Sequence, residues 1–141
     1  ALRMLMLLAM EPDELHTIEE ISTRYDISRN HLMKVTQTLV QAGYVESVRG
    51  RNGGLRLGKK PKDINIGSVV RTTEDGFDLV ECFGDKNTCL IATACGLRGP
   101  LEEALAAFLD VLNRYTLADL MQNPGRLKRM RRALSVGATA S

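Results

Sequence analysis

The sequence predicts a mostly α-helical protein with a small β-hairpin wing, arranged as a winged helix-turn-helix followed by a long dimerisation helix. Three observations predict this fold class: two helical patterns flank a tight turn, a glycine-rich hairpin follows them, and a long amphipathic pattern lies near the C-terminus. The expected organisation is a winged helix over 1–62, a linking helix and cysteine loop over 63–99, two helices over 100–125, and a basic flexible tail over 126–141.

The first three helices follow from apolar runs and capping signals. Residues 1–10 are almost continuously apolar, which predicts a buried helix. Thr17–Glu20 matches a capping box that opens a second helix ending near Tyr25. Ser28 is a good N-cap for a third helix, which Gly43 ends. Two short helices joined by a tight turn predict a helix-turn-helix.

A hairpin directly after these helices predicts the wing. Residues 44–48 alternate and are β-branched, residues 50–54 are rich in glycine, and residues 55–57 return as a second strand. Arginines surround the predicted tip, where glycines would let the backbone approach a phosphate or a narrow groove. The simpler alternative is a solvent-exposed hairpin, but the preceding helix pair favours a winged helix.

The distribution of charge indicates which half would bind a polyanion. Between residues 28 and 62, Glu46 is the single acid among many basic side chains, whereas acids outnumber bases over 63–125. In a helix-turn-helix, the start of the second helix meets base edges, although a polar helix face is often merely solvated. The sequence therefore predicts double-stranded DNA as a partner. The candidate contact residues are Ser28, Arg29, Asn30, His31 and Lys34 in the third helix and Arg49, Arg51, Asn52, Gly53, Gly54 and Arg56 around the wing.

The C-terminal half contains a long apolar stripe. A helical segment is expected over 66–74, and Gly99–Pro100 predicts the start of a long helix. Its apolar positions recur at helical spacing at Leu101, Ala104, Leu105, Phe108, Val111, Leu112 and Tyr115. A small winged helix cannot easily bury this stripe, so we expect a homodimer that reads a palindromic operator. Thr116–Asp119 resembles a capping box for a short helix that Pro124–Gly125 would end.

The cysteines of the chain are Cys82, Cys89 and Cys95, which makes this segment a candidate metal centre. No secretion signal or membrane span is evident, so we expect a cytoplasmic protein without a membrane partner, in which a stable disulfide would be unusual. The spacing lacks the close pairs typical of zinc, and we interpret His16 as a loop residue and His31 as a DNA-face or packing residue. Iron-sulfur clusters, of the 2Fe-2S or 4Fe-4S type, tolerate irregular spacing.

Five segments resemble the nitric-oxide-sensing repressors of the Rrf2 family of iron-sulfur winged-helix regulators. They are Ser28–Val35, Ala42–Val45, Val48–Leu57, Leu79–Phe83 and Tyr115–Leu120. The resemblance implies a homodimeric bacterial repressor whose cluster is bound by the three cysteines and nitrosylated by nitric oxide, which releases the operator. It also implies a carboxylate ligand from the partner subunit, expected to lie before Ala1, so we expect the cluster to be easily lost from the chain as given.

Two alternatives remain open beside nitric-oxide sensing. The iron-sulfur assembly regulator of the same family is not one of them: it has a histidine three residues after its third cysteine, and Arg98 at that position of this chain argues against it. Rhizobial iron-responsive repressors share the segments Thr73–Phe77 and Glu81–Phe83, so an iron- or redox-responsive repressor is the second interpretation. A thiol or metal protein that does not bind DNA is a distant third, because Lys86 and Arg98 could activate a thiol but no histidine is near in sequence. We therefore predict that the chain is not an enzyme. The third interpretation alone would allow one, in the form of a peroxide-reactive protein.

Overall fold

The computed structural model describes residues 1–74, 76, 83–84 and 88–137, with the backbone alone for residues 136 and 137. Seven helices and two strands are present in these ranges, with a short 3₁₀ turn at Pro61–Asp63. In chain order they are α1 (Leu2–Met10), α2 (Ile18–Tyr25), α3 (Arg29–Gln41), β1 (Val45–Val48), β2 (Gly54–Leu57), α4 (Ile66–Thr73), α5 (Arg98–Asn113), α6 (Leu117–Leu120) and α7 (Pro124–Gly137). The predicted fold class, mostly helical with a two-stranded wing, is confirmed.

The hydrophobic core surrounds α1, as the apolar start of the sequence predicts. Met4, Leu5, Leu7, Leu8 and Met10 are buried on this helix. Apolar side chains of α2, α3, β2, α4 and α6 complete the core. Because this burial removes apolar surface from water, α1 is the scaffold against which the helix-turn-helix and the wing are held.

The helix-turn-helix forms as predicted, but its caps differ from the predicted ones. The Thr17 hydroxyl accepts the Glu20 backbone N–H at 3.1 Å. The Glu20 carboxylate points to other partners, so only half of the capping box forms. Asp26 makes the turn with a left-handed backbone (φ 51°), and Ser28 precedes α3 without a side-chain capping bond. The turn geometry therefore positions α3 without help from a serine cap.

The wing is a two-stranded antiparallel hairpin that a third segment extends. β1 pairs with β2 so that Glu46 lies opposite Arg56. A side chain at Gly53 would overlap the Val48 carbonyl, which explains the glycine at this point of the turn. The backbone of His16 pairs with the other side of β2. Its backbone N–H donates to the Leu55 carbonyl at 3.1 Å, and its carbonyl accepts the Leu55 N–H at 2.8 Å.

Polar contacts around Asn65 join α4 to the end of α5. The Asn65 side chain caps α4 by accepting the Ser68 N–H at 3.0 Å, and its amide donates to the Asn113 carbonyl at 2.6 Å. Arg71 also reaches the Asn113 side chain, at 2.8 Å. The predicted capping box of the next helix is confirmed, because Thr116 and Asp119 bond each other in both directions.

The prediction of a flexible tail over 126–141 is wrong for residues 126–137, which belong to α7. Pro124 opens this helix instead of ending α6, which stops at Leu120. Three apolar side chains of α7 pack on the core, namely Leu127, Met130 and Leu134. Arg131 donates to the Met10 carbonyl at 2.6 Å. Among the helices in the described ranges, none is long and apolar enough to cross a membrane.

Candidate nucleic-acid interface and cysteine segment

The start of α3 presents a polar face to solvent. Its opposite face is buried at Leu32, Thr36 and Leu39, which fixes the orientation of the helix on the core. All five candidate residues at this end are exposed: Ser28, Arg29, Asn30, His31 and Lys34. The structure therefore brings together the helix residues that the sequence analysis selected, on one accessible surface.

The charged groups of this surface are only weakly engaged within the chain. Arg29 lies 3.5 Å from a carboxylate oxygen of Glu19, with both side chains well exposed. An exposed pair of this kind contributes about 0–1 kcal/mol, so the guanidinium can exchange it for a phosphate or a base edge. Asn30 and Lys34 have no side-chain partner within the described residues.

The tip of the wing carries accessible basic groups on a backbone shaped by glycine. Arg49, Arg51 and Asn52 are exposed, and neither arginine forms an ion pair with a described residue. Gly53 and Gly54 are half-buried, and a Cβ at Gly54 would come within 3.0 Å of Leu15 and His16. These glycines let the hairpin pack closely while the flanking side chains face solvent.

Arg56 differs from the other wing arginines because it is paired across the hairpin. Its Nε donates to a carboxylate oxygen of Glu46 at 2.8 Å, and both side chains are about half exposed (51%). This hydrogen bond and the guanidinium charge lower the pKa of Glu46. The sequence analysis named Arg56 but missed its partner, since only the strand register reveals that the two residues face each other.

Two of the three cysteines lie in a turn segment directly before α5. Cys82 falls outside the described residues, whereas Cys89 and Cys95 are half-buried. The Ala92 N–H donates to the Cys89 carbonyl at 3.2 Å, which folds the intervening backbone into turns. Arg98 begins α5 and donates to Glu102 at 2.9 Å. Cysteine thiolates are the usual ligands of iron-sulfur clusters, so Cys89 and Cys95 are the described residues of the candidate metal centre.

The long helix α5 leaves part of its apolar stripe exposed to solvent. None of its residues is buried. Phe108 is 53% exposed and Val111 43% exposed, and Leu97 and Tyr115 at its ends are also exposed. Apolar side chains at helical spacing on an open face are typical of a surface that packs against another molecule.

Comparison with known proteins identifies the family. The family model of Rrf2, described as an iron-dependent transcriptional regulator, matches residues 1–123. The chain belongs to the Rrf2 family. This Rrf2 chain is 58% identical over 125 residues to the HTH-type transcriptional regulator NsrR of Bacillus subtilis, covering 87% of this chain and 86% of that relative. It is 52% identical over 132 residues to NsrR of Bacillus licheniformis, covering 92% of each.

A solved structure of the family agrees with the architecture. IscR of T. potens superposes on this Rrf2 chain with a TM-score of 0.65 at 26% identity, covering 85% of this chain and 79% of that one. The resemblance drawn from the sequence is confirmed, and so is the winged-helix fold. The relatives are transcriptional regulators and not enzymes.

Proposed function

We propose that this chain is a homodimeric transcriptional repressor that binds a palindromic DNA operator and whose iron-sulfur cluster senses nitric oxide. The proposal rests on one arrangement: a polar, exposed helix start and exposed arginines at the wing tip share the chain with a cysteine segment directly before a helix whose apolar stripe is partly exposed. The relatives named NsrR support the same assignment.

DNA recognition would be divided between α3 and the wing. Arg29 and Asn30 are of the residue types that make paired hydrogen bonds to guanine and adenine in the major groove. Arg49 and Arg51 at the wing tip would meet phosphates or the minor groove, where negative potential favours arginine. Two copies related by a two-fold axis would read two half-sites, with the open face of α5 as the contact between them.

The cysteine segment is connected to the recognition helix through packed elements. A cluster bound by Cys82, Cys89 and Cys95 would supply the iron with which nitric oxide reacts. Cys95 lies close before α5, whose end is bonded to α4 through Asn113 and Asn65. α4 in turn packs against α3. A change in the conformation of the thiol segment would therefore bias the position of α3, which is the coupling that a sensor needs.

The test is a nitric-oxide titration of the anaerobically reconstituted full chain while operator binding is followed. We expect operator affinity to fall by roughly 5–150-fold, the usual range of coupling between sites. Cys89→Ser should bind the operator weakly and without a nitric-oxide response. Thr93→Ala, which changes an exposed neighbour without removing a thiol, should behave as the unaltered chain. Unchanged operator affinity in the Cys89→Ser variant would refute cluster gating.

The description of the family as iron-dependent favours a second candidate, an iron-responsive repressor. The same protein answers this question when it is titrated with an iron chelator in place of nitric oxide. A nitric-oxide sensor should lose operator binding at equimolar nitric oxide and retain it in a mild chelator. The reverse order of sensitivity would assign iron as the signal.

A further inference from the structure

His16 is the centre of a buried polar cluster that DNA binding does not use. Its side chain is completely buried between the end of α1 and the start of α2. Nδ1 lies 3.2 Å from a carboxylate oxygen of Glu20. Nε2 lies 3.1 Å from Glu11 Oε2, but this contact is not aligned as a hydrogen bond, and Nε2 has no hydrogen-bond partner in the described structure. His16 lies in the loop before the Thr17 cap, as predicted, but its complete burial and its polar contacts were not predicted from the sequence.

Two carboxylates lie beside the His16 ring. Glu11, Glu14 and His16 each offer one ligand atom, and these three atoms all lie within 4.8 Å of one another. Glu11 is mostly buried, with 19% of its side chain exposed, whereas Glu14 is exposed. Imidazole nitrogen and carboxylate oxygen are together the ligands of zinc and of similar borderline divalent cations.

The neighbouring side chains orient these ligands. When Nδ1 donates its proton to Glu20, Nε2 carries a lone pair, which is the tautomer that a metal-binding histidine requires. Arg24 lies 2.8 Å from one oxygen of Glu11 and 2.9 Å from the same Glu20 oxygen, so it holds both carboxylates in place. Arg24 and His16 Nε2 both approach Glu11 Oε2, so Oε1 is the oxygen of this carboxylate that is available to a cation.

The charges around His16 favour an added cation. Glu11, Glu14 and Glu20 contribute three carboxylates, against the guanidinium of Arg24. Arg131 approaches from α7, but its bond is to the Met10 carbonyl. An unbalanced negative charge that is partly removed from water is costly, and a bound divalent cation would offset it.

We propose that Glu11, Glu14 and His16 form a binding site for a borderline divalent cation of the zinc type, separate from the cysteine segment. A bound cation would hold β2 against the loop between α1 and α2, because the backbone of His16 exchanges two hydrogen bonds with the backbone of Leu55. Cation binding would thus join the end of α1, the following loop and the wing into one unit.

The test is a zinc titration of the full chain in which Cys82, Cys89 and Cys95 are replaced by serine, with a chromophoric chelator as competitor. The replacements remove the thiolates that would otherwise bind zinc. We expect one zinc per chain, and Glu14→Gln should weaken binding by at least about tenfold. Asp13→Asn is the matched control, since it removes an adjacent exposed carboxylate outside the ligand set. No binding, or equal affinity in both variants, would overturn the proposal.

Two further measurements on the same chain keep the proposal testable if a variant fails to fold. Nitrogen-15 NMR of His16 should show a protonated Nδ1 and an Nε2 signal that shifts when zinc is added. A ring protonated at both nitrogens and unaffected by zinc would show that the cluster is an ion pair only, and would refute the site. Hydrogen exchange of the Leu55 amide should slow with zinc, whereas an unchanged rate would refute the link to the wing.

Discussion

The winged helix buries many of its large apolar side chains, whereas α5 leaves some of its own exposed to solvent. Leu39 of α3 is 0% exposed, whereas Phe108 of α5 is 53% exposed. Both are large apolar residues on amphipathic helices, yet the Leu39 side chain is packed inside the chain and the Phe108 side chain is left half exposed. The comparison indicates that the common core holds the helix-turn-helix in place, while the exposed part of the α5 stripe is available to pack against a second molecule.

The largest effect should come from removing a core contact of the recognition helix. Leu39→Ala leaves a cavity under α3, and we expect the free energy of unfolding to fall by about 2–5 kcal/mol. Urea denaturation at a fixed protein concentration measures this change. Val40→Ala, at the next and 37% exposed position, should cost less than about 1 kcal/mol. Similar losses at both positions would mean that α3 is not anchored by its buried face.

A charge on the open face of α5 should have the next largest effect, on association instead of folding. Phe108→Glu would place a carboxylate in the proposed dimer contact and weaken dimerisation by about 2 kcal/mol or more. Sedimentation equilibrium should then show monomers, and operator binding should weaken while helix content is preserved. Asp110→Lys, an exposed charge change on another face of α5, is the control. A Phe108→Glu variant that remained dimeric would assign the dimer contact to another surface.

The sequence predicts the winged helix well because its signals are local. The Thr17 cap, the turn at Asp26 and the glycines of the wing act over a few residues, and each is present in the structure. The sequence does not predict α7, because a Pro-Gly pair such as Pro124–Gly125 is typical of a helix end. The pattern also fits a helix start, since Asn123 accepts the Arg126 N–H at 2.9 Å just before the apolar positions of α7.

The parts of the site that the sequence did not predict depend on distant contacts. The partner of Arg56 follows from the register of two strands, and the burial of His16 follows from its pairing with Leu55. Neither contact has a short-range signature, so no spacing rule would find it. The cysteines were found from their clustering, but Cys82 lies outside the described residues, so their convergence stays a prediction.

An intermediate effect is expected at the wing, the least buried part of the DNA-reading half. Gly53→Ala would force a methyl group against the Val48 carbonyl, at a cost of roughly 1–3 kcal/mol to the hairpin. Operator affinity should fall, and the free energy of global unfolding should fall by no more than this cost. Gly99→Ala, a glycine with open space around it, is the matched control. Unaltered operator affinity in Gly53→Ala would exclude the wing from the DNA contact.

A smaller effect should follow from removing the acid that pairs with Arg56. Glu46→Gln leaves the arginine free to neutralise a phosphate, so the slope of log affinity against log salt should steepen by up to about 0.9. Glu102→Gln breaks a similar exposed pair with Arg98 on α5 and should leave the slope unchanged. An equal slope in both variants would show that Arg56 does not meet the DNA.

The smallest effect is the pH dependence of the same pair. Arg56 holds the pKa of Glu46 below its ordinary value, so the carboxylate binds fewer protons in the folded state than in the unfolded state near that pKa. The stabilisation is therefore complete above the unfolded value, about 4.3, and is lost as pH falls through the lower folded value. Hydrogen bonds to Thr116 also lower the pKa of Asp119, so the pH dependence of total stability does not report on Glu46 alone. The difference in stability between the unaltered chain and Glu46→Gln does so, and it should shrink on acidification. A difference that stayed constant with pH would show that the Glu46–Arg56 contact does not persist in solution, and that the wing owes its shape to its glycines and to His16 alone.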